Sequence, residues 1–339
     1  MRDYDVCGLG NAIVDIFLEL DDSEFTSLAF ERGTMRLVDA HEQSNLLHQF
    51  SDGHRELKLV SGGSVANSVI GLSQLGGRSA FIGCVGDDRY GLHYAEEFNA
   101  LKINIGNPIM FGETTGTCIA IITPDAERTM RTCLAVSSHL AAKHVDAHRI
   151  AQATWLFIEG YVFANPATGQ TAIREAIQAA KASGTKIAIT CSDAFIPEVF
   201  GDAFHAALSV SDLLFCNAPE SIAVTKAATS EKAFAALKSL VPNCVVTDGP
   251  RGAFVRFDGE ESHVPAFACQ PKDLTGAGDM FAGAFLYGLT HGYSPAIAAR
   301  GANFMCMNVI TQVGARLQQD AKALWEQGLE DHRADDVGG

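Results

Sequence analysis

Residues Asp273–Phe285 read DLTGAGDMFAGAF. The run Gly276-Ala277-Gly278 meets a carboxylate, Asp279, and the chain then turns almost wholly apolar through Met280, Phe281, Ala284, Phe285, Leu286 and Leu289. A helix that is apolar on most faces is buried along its body. Here its N-terminus follows residues with almost no side chain, so a ligand can come close to the backbone. Unpaired N–H groups and the helix dipole make such an end a site for an anion, and the same dipole favours an ionised Asp279. An Asp in a first helical turn is also an ordinary cap. On this stretch alone, a cap and a phosphate cradle beside a general base are equally good readings.

The surrounding rhythm sets the fold. Short β-branched runs at Tyr4–Leu9, Ala80–Val85, Trp155–Glu159, Lys186–Thr190, Leu213–Cys216, Cys244–Thr247 and Ala253–Phe257 alternate with helical patterns. Helices are expected at Ser64–Leu75, at Pro166–Ser183 with Asn165 as cap, at Asp279–His291 and after Ser294-Pro295. This alternation predicts a three-layer α/β/α core around a mostly parallel sheet. Two regions break it. Val14–Val60 carries strand-like pieces around DIFLEL and TMRLVD, and Thr114–Leu134 reads as a hairpin turning at Pro124-Asp125. Both are expected to be antiparallel strands of a small β-sheet lid. The predicted division is a core of residues 1–13, 61–112 and 135–330, a discontinuous lid of residues 14–60 and 113–134, and a flexible tail at 331–339.

Bulk properties narrow the function. The 339 residues carry a net charge of −15 and are 47% hydrophobic, which is a globular composition. The acidity argues against nucleic-acid or anionic-membrane partners. Nine cysteines are scattered singly without a CxxC pair, which fits buried thiols in a reducing cytoplasm. The N-terminus reads as a first strand and not a signal peptide. Neither a P-loop GxxxxGK[ST] nor the protein-kinase motif set occurs, so any phosphate chemistry uses another solution.

Four motifs in order resemble those of the ribokinase-like (phosphofructokinase-B) carbohydrate and nucleoside kinases. GGSVAN at Gly62–Asn67 resembles the N-terminal signature. NAPE at Asn217–Glu220 matches the NxxE motif, TDGPRG at Thr247–Gly252 the nucleotide loop, and DLTGAGD the C-terminal signature. Leu274 and Val65 stand where small residues are usual in the family. The resemblance implies ATP as phosphoryl donor with Mg²⁺. Asp279 would take the acceptor's proton, and the N–H groups of Gly276, Ala277 and Gly278 would hold the γ-phosphate. Asn217 and Glu220 would organise Mg²⁺ through water. Thr247, Gly249, Gly252 and Asn303 would flank the nucleotide. A K⁺ ion near Asp273 and Thr275 is a further implication, weakened by Leu274. Without the resemblance, Asn217 and Glu220 read as a strand-end turn and a helix-start acid.

At the acceptor end, GLGNAIVDI lacks the third small residue of a dinucleotide fingerprint, which counts against a Rossmann oxidoreductase. Under the kinase reading Asn11 and Asp15 face the cleft, and Asp15, an acceptor-only side chain, suits a vicinal diol. Gly62 and Gly63 would let the sugar approach, and Asn67 would hold another hydroxyl. Asp15 as a surface acid on an edge strand is the plainer alternative. The hairpin GTCIAIITPDAERTMRTCLA resembles the lid of adenosine kinases. Arg128 would swing toward the phosphates, although a solvated hairpin-tip charge is as good a reading from sequence. Met35, Cys118, Leu134 and Tyr161 are candidates for a base-binding wall, or simply packing. The expected acceptor is adenosine or a related purine nucleoside. A ribokinase- or fructokinase-like sugar kinase is the alternative, and a non-catalytic nucleoside-binding protein a remote one. Monomer and homodimer through the lid both remain open.

Overall fold

A computed structural model describes residues 2–50, 57–106, 109–125 and 127–335. Its core is a nine-stranded sheet. Across the sheet the order is Glu260–Val264, Ala253–Phe257, Asn243–Thr247, Leu213–Asn217, Lys186–Thr190, Ala153–Ile158, Tyr4–Leu9, Ser79–Ile82 and Asn104–Ile105. All neighbours run parallel except the two pairings that include Ala253–Phe257. The central strands are continuous apolar runs because both faces are covered. The antiparallel edge depends on the turn between the last two strands, where Asp258 and Gly259 both take positive φ (49° and 85°). That geometry suits a tight hairpin.

Chain order reverses between Tyr4–Leu9 and Ala153–Ile158: later strands lie on one side, Ser79–Ile82 and Asn104–Ile105 on the other. Such a switch point opens a crevice beyond the carboxyl ends of the strands. Asn11 and Glu159 lie just past the ends of those two strands, and they meet there.

A five-stranded sheet, in the order Met35–Leu37, Arg128–Cys133, Gly116–Ile122, Ile13–Glu19 and Lys58–Gly62, stands over this crevice. It is mixed, not antiparallel as expected. Ile13–Glu19 runs parallel to Gly116–Ile122, and Met35–Leu37 parallel to Arg128–Cys133. Parallel neighbours need a long crossover, and here the chain passes through the core between Ile13–Glu19 and Gly116–Ile122. Short helices, Asp22–Ser27 and Ala40–Phe50, occupy part of the stretch read as strand-like. Alternation places Val14, Ile16 and Leu18 in the core and turns Asp15 and Phe17 to the other face, toward the crevice.

Some boundaries shift. The helix expected from Pro166 begins at Gly169, with Thr168 at its cap; residues 166–168 form a turn, and Asn165 makes no side-chain cap. The helix Ala321–Asp335 runs through the first residues of the expected tail, and 336–339 lie outside the described residues. Among the described residues no helix is long and apolar enough to cross a membrane.

Candidate active site

Two helices build the centre. The helix Ala277–Thr290 crosses the helix Ser64–Gln74 at very close range, because Gly283 has no side chain: a Cβ there would lie 2.2 Å from the Ser68 carbonyl oxygen. One turn before that contact on each helix stand Asp279 and Ser64, and the close packing joins them. Ser64 Oγ donates to Asp279 Oδ1 at 2.7 Å, and Asn67 Nδ2 donates to Oδ2 at 3.0 Å. Hydrogen bonds to a charged group contribute about 1.5–3 kcal/mol each. Desolvation nevertheless wins, and the Asp279 carboxyl is pushed up to about 6, opposed by those two donors. The helix dipole by itself favours the opposite direction, but burial below the surface outweighs it. At pH 7 the group is still mostly ionised.

Asp279 stands between two cavities: it lines the smaller one, and its donor Asn67 lines the larger. The smaller, about 200 Å³, is also lined by Gly276, Gly278, Asn217, Glu220, Thr247 and Leu274. Gly276 caps the helix with φ 76° and no side-chain bond, and the first intrahelical bond runs from Met280 N–H to the Gly276 carbonyl. The N–H groups of Gly278 and Asp279 therefore precede the helical ladder. The Ala277 N–H is turned to the Leu274 carbonyl at 3.3 Å, so it is less available to a phosphate than expected. A Cβ on Gly278 would meet nothing within 4 Å, so the approach is open.

Asn217 and Glu220 form a capping box on the helix Ala218–Thr225: Asn217 accepts from the Glu220 N–H at 2.9 Å, and its own N–H and Nδ2 donate to the Glu220 carboxylate, both at 2.9 Å. The plain structural reading is thus real, and the same pair also faces the smaller cavity. Burial raises Glu220 to about 7. Among the described residues no group of three or more His, Cys, Asp or Glu is placed to hold a metal. This donor set fits Mg²⁺ carried largely by phosphate and water, with Glu220 and Asn217 at its edge.

Thr247 ends its strand in the smaller cavity, while Gly249 (φ 51°) opens to free space. Gly252 (φ 88°) is required by the turn itself, since a Cβ would strike the Val264 carbonyl at 2.1 Å. Asn303 is buried, and its Nδ2 is spent on the Val264 and Pro265 carbonyls at 3.0 and 3.1 Å. It holds the strand end in place.

The larger cavity, about 800 Å³, lies between the small sheet and the core. Asp15 projects into it from a strand flanked on both sides, so it is not an edge-strand surface acid. Burial pushes Asp15 up to about 6, against the opposing charges of Arg316 and Arg128. Gly62 packs on it, since a Cβ there would lie 2.8 Å from Asp15 Oδ2, and Gly63 (φ 108°) lies over the Asn11 carbonyl. Asn67 also lines this cavity, although its amide nitrogen is given to Asp279. Asn11 is buried and donates to Glu159 Oε1 at 2.8 Å.

The apolar wall is not the one expected. Among the described residues lining the cavity, the apolar ones include Phe17, Val60, Ala120, Ile122, Met130 and Leu317, and do not include Met35, Cys118, Leu134 or Tyr161. Met35 pairs with Met130 but sits one strand further out, at the sheet edge. Cys118 is buried beside Asp15. Leu134 opens on a separate cleft with Leu37 and Cys133, and Tyr161 lies against Phe195. Residue type suggested those four, and type carries no information on which face of a mixed sheet a side chain occupies.

Arg128 is not a solvated tip. It is paired with Asp273 Oδ2 at 2.7 Å and donates to Thr275 Oγ1 at 2.9 Å, joining the small sheet to the loop ahead of Gly276. Asp273 also accepts from the Thr275 and Gly314 N–H groups at 3.0 and 2.6 Å. Its carboxylate is thus neutralised by Arg128, and the pairing leaves poor fit for a K⁺ ion at that oxygen.

Two residues of the site, Glu159 and Arg316, belong to none of the sequence motifs. Glu159 is wholly buried, accepts from Asn11 and the Val65 N–H, and is raised by burial to about 7. The signal for it in the sequence is an acid closing the buried strand WLFI at a sheet switch point. Arg316 lies in a segment without periodicity, and nothing local marks it.

A carboxylate set between a roomy cavity and an open helix N-terminus, on this sheet, fits a phosphotransferase that acts on an alcohol group. The pattern of the pfkB family carbohydrate kinases matches residues 38–322, and the chain belongs to that family. It is 27% identical to an adenosine kinase of Saccharomyces cerevisiae over 84% of this chain and 88% of that one. It is also 27% identical to a fructokinase of Klebsiella pneumoniae over 73% and 83%. The crystal structure of adenosine kinase from Sinorhizobium meliloti superposes with a TM-score of 0.86 at 31% identity, covering 96% of this chain and 99% of that one. The fold is ribokinase-like, and the family's use of Mg·ATP comes with it.

Proposed function

We propose that the protein transfers the γ-phosphoryl group of ATP to a primary hydroxyl, the 5′-hydroxyl of adenosine or a related purine nucleoside. The observation that carries this reading is the position of Asp279 between the two cavities, held by Ser64 and Asn67. The larger cavity, about 800 Å³, has room for a nucleoside with its base. In it Asp15 receives the ribose diol, and Gly62 and Gly63 admit the sugar to the backbone. The base lies along Phe17, Ala120, Ile122 and Met130.

In the smaller cavity the N–H groups at the start of the helix Ala277–Thr290 receive the transferred phosphoryl oxygens. Asn217 and Glu220 would hold Mg²⁺ through water, and the ion would supply charge neutralisation when bound. Asp279 takes the hydroxyl proton. A base near pH 6 is weak but sufficient, because phosphoryl transfer is loose and its proton leaves late. Positioning and the fixed N–H dipoles supply most of the rate. The five-stranded sheet acts as the lid, with Arg128 as its contact to the phosphate loop.

A sugar acceptor is the second reading. The charges of Glu19, Lys58, Glu97 and Arg316 in the larger cavity support it, as does the likeness to a fructokinase. The deciding experiment is ATP consumption with Mg²⁺ against adenosine, inosine, guanosine, ribose, fructose and 2-keto-3-deoxygluconate. Turnover with a nucleoside supports the first reading. Turnover with a free sugar alone replaces it with the second, and none with any acceptor refutes both.

A further inference from the structure

We propose that Arg316 is a positioning residue for the acceptor, holding the Ser61 carbonyl ahead of Gly62 and sharing the larger cavity with Asp15 as its counter-charge. The proposal rests on the reading of Asp15 as the acceptor's hydroxyl anchor.

The geometry begins with an exposed strand edge. Lys58–Gly62 is the outermost strand of the small sheet on its side, so its outward N–H and C=O groups have no neighbouring strand. At Ser61 both are taken by side chains. The N–H donates to Glu97 Oε2 at 2.6 Å, and the carbonyl accepts from Arg316 Nη2. Arg316 Nη1 and Glu97 Oε1 are themselves paired at 3.5 Å, and His93 Nε2 lies 3.1 Å from Glu97 Oε2. An arginine and a glutamate from two separate parts of the core thus stand where a strand would, and fasten the small sheet at one peptide.

The next three residues give that peptide its importance. Gly62 packs directly on Asp15, and Gly63 caps the helix that carries Ser64 and Asn67 to Asp279. Loosening Ser61 therefore loosens the acceptor end and leaves the phosphate cavity, which is built mainly from other elements, in place. Arg316 also lines the larger cavity. The charged and titratable groups around Asp15 include Arg316 and Arg128 as cations, Asp279 as an anion, the thiol of Cys118 and the phenol of Tyr94, with Glu19, Lys58 and Glu97 lining the same cavity. Arg316 is the stronger of the two cations in holding Asp15 ionised. An ionised carboxylate accepts from two hydroxyls, whereas the protonated form gives up part of that capacity.

The test compares wild type, Arg316→Met and Arg316→Lys across about pH 5.5–8.5, with adenosine as acceptor and ATP saturating. If the loss of Arg316 raises the Asp15 midpoint by about one pH unit from about 6, the ionised fraction at pH 6 falls from about a half to about a tenth. Arg316→Met is then expected to raise the adenosine KM about fivefold at pH 6, with the pH-dependent part vanishing by about pH 8. The KM for ATP stays put, and Arg316→Lys restores the pH profile. A readout free of acceptor is the ¹³C titration of the Asp15 carboxyl, assigned by its loss in Asp15→Asn; its midpoint moves up in Arg316→Met. An unmoved Asp15 titration, or a pH-independent loss that affects both substrates alike, overturns the proposal. If Asp15→Asn leaves acceptor KM unchanged, the reading of Asp15 itself fails. If it raises KM while Arg316→Met shifts nothing, only the role of Arg316 fails.

Discussion

Gly283→Ala is a small change placed where it separates folding from chemistry. The new Cβ would lie 2.2 Å from the Ser68 carbonyl oxygen, 3.0 Å from its carbon and 3.2 Å from its Cα. Ordinary contact requires about 3.4 Å, so the two helices must part by roughly 1 Å. Overpacking of this kind costs about 1–3 kcal/mol, while replacing a mid-helix glycine by alanine returns about 1 kcal/mol through helix propensity. The net destabilisation is thus modest, about 0–2 kcal/mol. The site does not share that tolerance. The bonds from Ser64 and Asn67 to Asp279, at 2.7 and 3.0 Å, span this same interface. An opening of about 1 Å breaks one or both, and a displacement of that size at a reacting group costs about a hundredfold in rate. Thermal unfolding and steady-state turnover with ATP and the best acceptor are the assays. The expected result is a folded protein with kcat reduced about a hundredfold. A variant with kcat within about twofold of wild type would refute the claim that this helix contact sets Asp279.

Asp279→Asn keeps the shape and removes the base; kcat is expected to fall at least about a hundredfold with both KM values within a few-fold, and retained turnover would exclude Asp279 as the proton acceptor. Activity and stability are expected to move oppositely with pH. Turnover declines as pH falls through about 6, where Asp279 protonates. Stability of the ligand-free protein rises over the same interval. Asp15 and Asp279 are raised from 3.8 to about 6, and Glu159 and Glu220 from 4.5 to about 7, so the folded state binds protons that the unfolded state has released. Their stabilising contribution is complete below about pH 4 and lost as pH climbs through about 6 to 7. A melting temperature that is flat or rises between about pH 5 and 7.5 would contradict these shifts.

Legibility in the sequence tracks the range of each interaction. The central strands, the buried helix after Asp279 and the hairpin at Pro124-Asp125 are fixed by local periodicity and turn chemistry, and each lies close to where it was expected. Asp279, Asn67 and Asp15 stand out in the sequence because their motifs are local, and the structure places all three on the two cavities. The pairing of Asn67 with Asp279 does not stand out, since it depends on two helices 212 positions apart in the chain meeting at a glycine. Met35, Cys118, Leu134 and Tyr161 lie off the larger cavity because the face of a strand in a mixed sheet is decided by register with distant segments. Arg316 was invisible for the same reason: its partners, Ser61 and Glu97, belong to distant parts of the chain.

The two cavities meet around Asp279, its two donors and the loop ahead of Gly276, which gives Thr275 to one and Leu274 to the other, but the small sheet lines only the larger one. Mutation in the small sheet away from Arg128 can therefore remodel which molecule is admitted without disturbing the apparatus at the helix mouth, whereas Gly314 and Ala315 pack directly on it. Such a division of labour lets descendants of one ancestral gene diversify in diet while inheriting an unaltered reaction. The chain is 27% identical to both an adenosine kinase and a fructokinase, whose named acceptors differ.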